Sequence, residues 1–302
     1  MTDIRGIVPP LTTPFTENEE PDESKLRAEV RYLVERTGVH GLAVGGSTGE
    51  GHTLSTDELR RCVGAVVDEA RGRVPVIAGI IADSTRQAIE RGYAVADLGV
   101  AALQVTPVHY LFRPSDDMMV RHFAAIVDRV GLPVIVYNVV PWTYCSPDLL
   151  TRIISEAPGV IGVKQSAGDL KLLADLLMAV GDRSVIMSAV DALLYPSFAL
   201  GAHGAIAAIL AAVPELCVAL WDDVQADHHA QALDLHRRLL RIWNAMQGDN
   251  LPANVKTALA LQGRPAGLPR SPMAPSSDEQ RAAIREALVQ AGIAVVRSGQ
   301  PV

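Results

Sequence analysis

The chain of 302 residues has only four lysines, Lys25, Lys164, Lys171 and Lys256, and one of them stands where an amine has a chemical use. Lys25, Lys171 and Lys256 fall in helical patterns, where a solvated surface lysine is expected. Lys164 ends the apolar run Gly159-Val-Ile-Gly-Val, which places it at the C-terminal end of a strand with its amine turned into the mouth of an α/β fold. Desolvation there disfavours the ammonium and lowers its pKa from about 10.4 toward neutrality, as a nucleophilic amine requires. The same position also admits a structural ion pair, with Asp169 or another carboxylate. Tyr137 ends the preceding run Pro133-Val-Ile-Val, so its phenol is either a proton relay within reach of Lys164 or a core tyrosine with a satisfied hydroxyl. The third candidate is the turn Gly45-Gly-Ser-Thr-Gly-Glu50. Its glycines let backbone N–H groups approach a ligand closely, and Ser47 and Thr48 add hydroxyls, a combination suited to a carboxylate or phosphate. An ordinary glycine-rich turn from strand to helix would look the same.

Short apolar runs alternating with longer amphipathic stretches must position these residues. Strands are expected at 6–12, 41–44, 74–80, 102–105, 133–137, 160–164, 184–187 and 204–207, each rich in Val or Ile as buried parallel strands are. Helices are expected at 23–37, 56–71, 85–98 and 114–130, with Ser55 and Ser84 as N-caps and Pro114 and Pro147 near first-turn positions. Eight strands with seven crossover helices imply a closed (β/α)8 TIM barrel, here 1–213, with active-site residues at the C-terminal strand ends. The alternative, a doubly wound open sheet, would call for a dinucleotide fingerprint, and Gly45–Gly49 is not GxGxxG. From Pro214 onward the pattern is helical, at 226–246, 253–261 and 277–290, so 214–302 is expected as a helical region packed on the barrel.

Composition narrows the function classes. The chain is 49% hydrophobic and 20% charged with a net charge of −7, enough to bury a large core, and it offers no basic stripe for nucleic acid and no polybasic membrane anchor. Its start lacks the apolar run of a signal peptide, and no stretch approaches the ~20 apolar residues that span a bilayer. Cys62, Cys145 and Cys217 form no metal or redox motif and read as small buried residues in a reducing compartment. A soluble cytoplasmic enzyme fits all of this.

Taken together, the sequence resembles the dihydrodipicolinate synthase / N-acetylneuraminate lyase family of pyruvate-dependent class I aldolases. The match runs through Gly6-Ile-Val-Pro-Pro-Leu-Thr-Thr-Pro-Phe15, Gly46-Ser-Thr-Gly-Glu50, Val105-Thr-Pro107 and Tyr137-Asn138. It continues in Gly162-Val-Lys-Gln-Ser-Ala-Gly-Asp169, Gly201-Ala-His-Gly-Ala-Ile206 and Leu268-Pro-Arg-Ser-Pro-Met273. The resemblance implies that Lys164 forms an imine with pyruvate or another 2-keto acid, that Tyr137 shuttles protons, and that Ser47 and Thr48, with Gly46, bind the carboxylate. It implies that Ile206 lines the site through its backbone and that Tyr110 matches a tyrosine contributed across a subunit contact. It further implies no metal or organic cofactor and a homotetramer built as a dimer of dimers.

The chain also departs from the family. Synthases of the family carry, after Tyr-Asn, an arginine that holds the second substrate's carboxylate; counting from Tyr137, Trp142 stands there. A neutral indole forms no bidentate salt bridge, and the loss removes about 1.5–3 kcal/mol of anchoring. Sialic acid lyases line the region beyond the Schiff base with polar residues, where this chain has Ala189, Val190 and Ala208. Asp191 matches a family position, with a structural or a substrate-contacting role. His109 is either an added acid/base group or a surface-loop histidine. The leading expectation is an aldolase or lyase acting on pyruvate and an apolar, aromatic or weakly charged aldehyde. The alternatives are a dehydratase or hydratase-aldolase of 2-keto-3-deoxy sugar acids, a 4-hydroxy-tetrahydrodipicolinate synthase (disfavoured by Trp142), and a non-catalytic barrel that binds a keto acid.

Overall fold

A strand covered on both faces needs apolar side chains throughout, whereas the helix laid over it needs only one apolar stripe. The alternation of these two patterns folds into a parallel barrel. The structure, a computed structural model, describes residues 4–296; the ends of the two expected regions, residues 1–3 and 297–302, lie outside the described residues. The strands are β1 (Gly6–Ile7), β2 (Leu42–Val44), β3 (Val76–Ile80), β4 (Ala102–Val105), β5 (Val134–Asn138), β6 (Val160–Gln165), β7 (Val185–Ser188) and β8 (Gly204–Ala205). The first six helices are α1 (Glu23–Arg36), α2 (Thr56–Ala70), α3 (Thr85–Ala96), α4 (Asp116–Val130), α5 (Pro147–Glu156) and α6 (Leu170–Val180). The others are α7 (Leu194–Ala199), α8 (Ala208–Ala212), α9 (Pro214–Gln225), α10 (His229–Met246), α11 (Leu251–Leu261) and α12 (Asp278–Gln290).

The strands pair in parallel in the order β1-β8-β7-β6-β5-β4-β3-β2. The segment after β1 closes the ring: the Ala43 N–H donates to the Pro9 carbonyl at 3.0 Å and the Leu11 N–H to the Ala43 carbonyl at 2.8 Å. β1 is shorter than the expected 6–12 because Pro9 and Pro10 have no N–H to give to a ladder. β8 stops at Ala205, and Ala207 already caps α8.

Local signals set most helix starts. Ser55 and Glu58 form a reciprocal capping box on α2, the Ser84 side chain accepts from the Gln87 N–H, and Pro147 opens α5. Pro114 differs from expectation. The Ser115 side chain accepts from the Met118 N–H and takes the cap of α4, which leaves Pro114 outside the first turn.

Inward-facing Ile4, Val8, Ala43, Ile77, Ala102, Ile135, Met187 and Ile206 fill the barrel lumen, and a larger core lies between sheet and helices. Cys62, Cys145 and Cys217 are free and buried in that outer core. Helix α9, the first helix of the expected 214–302 region, packs on β1 and α7 as well as on α10. Among the described residues no helix is long and apolar enough to cross a membrane.

Arg264, just after α11, joins the extension to the barrel. Its guanidinium pairs with buried Glu29 of α1 and donates to the carbonyls of Ala211 and Ala212 at 2.7 and 2.8 Å. Removing one partner of such a pair strands a buried charge, at a cost of roughly 3–5 kcal/mol. Arg264→Ala is therefore expected to lower the unfolding free energy by about that amount in urea titration; a loss under about 1 kcal/mol would show that the contact is peripheral.

Candidate active site

The site is built at the C-terminal ends of three strands. In the ladder between β5 and β6, Val134 pairs with Val160, but the next pair is Ile135 with Gly162. That irregularity advances β6 by one residue, so that Tyr137 pairs with Lys164 and both side chains turn toward the lumen. Lys164 and Tyr137 are buried at 3% and 4% exposure. The Lys164 Nζ lies 3.7 Å from the Tyr137 ring centroid, over its face, within the range of a cation–π contact. Among the described residues Lys164 makes no ion pair. Asp169, the expected alternative partner, instead accepts from the Lys171 N–H at 2.8 Å and caps α6.

The Tyr137 hydroxyl reaches the other way, to Ser47 Oγ at 3.1 Å, and so joins the end of β5 to the turn after β2. The turn is tightly wound. The Gly49 and Gly51 N–H groups both donate to the Gly46 carbonyl, at 3.1 and 3.0 Å, and the Glu50 N–H donates to the Ser47 carbonyl at 3.0 Å. Thr13 donates its hydroxyl to the Gly49 carbonyl at 2.7 Å, and buried Arg91 donates to the carbonyls of Gly51 and Leu54 at 3.2 and 3.0 Å. Gly51 has no room for a side chain, since a Cβ there would overlap the Gly45 carbonyl. Thr48 is buried and Ser47 partly so. The turn thus presents the Ser47 hydroxyl to the Tyr137 phenol.

The remaining candidates form the rim. Trp142, in a 3-10 turn after β5, is 66% exposed. Its indole N–H donates to the carbonyls of His109 and Tyr110 at 2.8 and 3.1 Å, which ties the loop after β5 to the loop after β4. His109 faces Asp83, with Nε2 3.4 Å from the carboxylate. Tyr110 is exposed, together with Leu111 and Phe112. Ala189 and Val190 are partly buried after β7, and buried Ala208 begins α8. Ile206 is fully buried in the lumen core, and its N–H donates to the Ser188 carbonyl at 2.9 Å. Asp191 accepts from the Ile209 N–H at 2.7 Å, a capping contact to α8. Burial pushes its carboxyl up to about 6, opposed by the Ile209 N–H and, more weakly, by the charge of Lys164.

Three buried polar residues support this site without having been expected in those roles. Asn138 holds Cys145 by both backbone groups, at 2.8 and 3.1 Å, and donates to Gln165 Oε1 at 2.9 Å, crossing from β5 to β6. Glu50 and Lys256 form an ion pair of 2.6 Å with both side chains almost fully buried. Lys256 is therefore not the surface lysine its helical pattern suggests. The available signal was the near-uniform apolarity of its helix, which marks a helix buried all round.

The comparisons with known proteins agree with this fold and site. The model of the dihydrodipicolinate synthetase family matches residues 3–291. The chain is 38% identical over 296 residues to a 4-hydroxy-tetrahydrodipicolinate synthase of Phenylobacterium zucineum, covering 96% of this chain and 98% of that one. Among solved structures it resembles the chloride-inhibited dihydrodipicolinate synthase of Acinetobacter baumannii complexed with pyruvate, at 30% identity and TM-score 0.91, covering 97% of this chain and 100% of that one. It also resembles the N-acetylneuraminate lyase of Fusobacterium nucleatum, at 27% identity and TM-score 0.87, covering 95% and 98% of the two chains. The chain belongs to the dihydrodipicolinate synthase family. Its class is that of the family, a lyase of the class I aldolase type that works through a lysine Schiff base and needs no external cofactor.

Asp191 gives a pH-dependent prediction. Its folded pKa of about 6 lies above the ordinary aspartate value of 3.8, so folding favours its protonated form. Its contribution to stability is full below about 4 and is lost as pH rises through about 6. Two pKa units correspond to about 3 kcal/mol. Relative to Asp191→Asn, the native protein is expected to gain about that much unfolding free energy between pH 7.5 and pH 4. Parallel urea curves at both pH values check this, and a constant difference would contradict it.

Proposed function

We propose that this enzyme condenses pyruvate, or a close 2-keto acid, with an aldehyde, or cleaves the corresponding adduct, through an imine on Lys164. The observation that carries the reading is the contiguous arrangement of Lys164 Nζ over the Tyr137 ring at 3.7 Å with the Tyr137 hydroxyl on Ser47 at 3.1 Å. In this reading the neutral Lys164 amine adds to the C2 carbonyl, and the carbinolamine loses its hydroxyl as water. The protonated imine then draws electrons from C3, which gives up a proton and becomes an enamine. The enamine carbon attacks the aldehyde carbon, the aldehyde oxygen gains a proton, and hydrolysis of the imine frees the lysine. Tyr137 moves protons to and from the carbinolamine, with Ser47 as its partner. The Gly46–Thr48 turn grips the keto-acid carboxylate with its hydroxyls, and Ile206 closes the wall beyond.

The second substrate is the less determined partner. Relatives at 34–38% identity are named 4-hydroxy-tetrahydrodipicolinate synthases, which favours that reaction. Against it, Trp142 occupies the position expected for the carboxylate-binding arginine and spends its only donor on the carbonyls of His109 and Tyr110. Ala189 and Val190 add no charge. A neutral or aromatic aldehyde suits this rim better, and a dehydratase acting on a 2-keto-3-deoxy acid through the same imine is the second reading. Exposed Tyr110, Leu111, Phe112 and Trp142 form an apolar rim of the kind that subunit contacts cover, which supports an oligomer of this chain.

Pyruvate with borohydride tests the first step. The intact mass is expected to rise by one reduced pyruvate adduct mapping to Lys164, and Lys164→Ala is expected to abolish it. An adduct elsewhere, or none on the native protein, would overturn the proposal. Tyr137→Phe is expected to slow turnover by about 10²-fold or more, the usual share of a positioned acid–base group. Aldehydes offered with pyruvate then decide the partner. Aspartate semialdehyde consumed as fast as the best neutral aldehyde would remove the weight placed on Trp142, and water loss without carbon–carbon bond change would mark a dehydratase.

A further inference from the structure

Glu50 is fully buried, and both of its carboxylate oxygens are engaged by the C-terminal extension. Oε1 accepts from Lys256 Nζ at 2.6 Å and Oε2 from the Arg270 N–H at 2.9 Å. Lys256 is held in turn by the Leu268 carbonyl at 2.6 Å. On its other side, the Glu50 N–H donates to the Ser47 carbonyl at 3.0 Å, and Ser47 Oγ receives the Tyr137 hydroxyl at 3.1 Å. A continuous chain of contacts therefore runs from α11 through Glu50 and Ser47 to Tyr137 and the Lys164 amine. Glu50 also holds φ at 54°, a left-handed conformation that a non-glycine residue keeps only when its surroundings enforce it.

The turn is not covered by packed side chains on every side. A cavity of about 630 Å³ lined by Glu50, His52, Asn250, Arg270, Met273 and Gln280 opens beside it. Nor does stability by itself account for the pair, because a buried ion pair is often replaceable by apolar residues of similar volume at no cost. What apolar residues cannot supply is direction. A carboxylate bound at both oxygens fixes the angle as well as the position of the residue that carries it.

We propose that Glu50 and Lys256 are positioning residues, through which the C-terminal extension sets the geometry of the Ser47–Thr48 turn that binds the keto-acid carboxylate. This rests on the functional reading above. The pair touches no substrate and acts only through Ser47.

The test is titration of pyruvate trapping by borohydride in the native protein, Glu50→Gln, Lys256→Met and the double variant Glu50→Gln/Lys256→Met, with thermal melting of each. The single variants strand a buried partner and are expected to melt lower; the double variant, with no stranded charge, recovers much of that loss. In all three the adduct still forms on Lys164 at saturating pyruvate, but half-saturation moves up roughly tenfold, the size of one weakened contact. A double variant that recovers stability and is half-saturated at the native pyruvate concentration overturns the proposal, because the pair would then be structural only. Amide exchange in the native protein is an independent arm that needs no variant. Reducing pyruvate onto Lys164 is expected to slow exchange of the Arg270 N–H that donates to Glu50, and unchanged exchange also overturns the proposal. Native protein that traps no pyruvate would instead sink the functional reading, and this inference with it.

Discussion

Two residues of β6, Ile161 and Gly162, stand against the single step from Val134 to Ile135 in β5, and the meeting of Lys164 with Tyr137 at the barrel mouth depends on that mismatch. Side chains alternate along a strand, so a one-residue slip exchanges the faces of everything that follows. Without the extra residue, Tyr137 would lie beside Val163, and Lys164 would turn toward the helices. With it, Lys164 and Tyr137 share a level on the lumen side. Gly162 is what allows the strand to pass there, because a Cβ at that position would overlap the Val185 carbonyl of β7. A small backbone irregularity next to a functional residue is a common device for re-aiming a side chain.

The other half of the site is a turn, and turns need external constraint. The turn after β2 is closed on itself by backbone hydrogen bonds, and pinned from the segment after β1 by Thr13, from α3 by Arg91 and from α11 by Lys256. Each contact uses a buried polar or charged group whose desolvation is compensated only in the folded arrangement. Ser47, whose hydroxyl receives the Tyr137 phenol, lies within this arrangement. The rim is made differently. Trp142 binds two carbonyls of the neighbouring loop, and the surrounding Tyr110, Leu111 and Phe112 remain exposed.

Several features of this arrangement were legible in the residues alone. Apolar runs marked all eight strands because buried parallel strands have no polar face to disguise them. Ser55 and Ser84 marked helix starts because a cap is a local hydrogen bond. Lys164 and Tyr137 lie at strand ends because the runs that precede them end there. The failures have equally specific causes. β1 is shorter than its apolar run because prolines interrupt its ladder, and α4 starts from the Ser115 cap rather than at Pro114. Burial of Lys256 is not legible because helical spacing reports which residues share a face but not what covers that face.

The sequence by itself therefore determined the order of elements and the class of fold, since both are written in local patterns of apolarity, and the scarcity of lysine singled out Lys164 as the candidate amine. Tertiary structure alone decided which groups meet: Tyr137 with Ser47, Glu50 with Lys256 some 206 residues away, and Trp142 with the carbonyls of another loop. Those contacts depend on barrel closure and on a single register shift, and neither leaves a periodic signal along the chain.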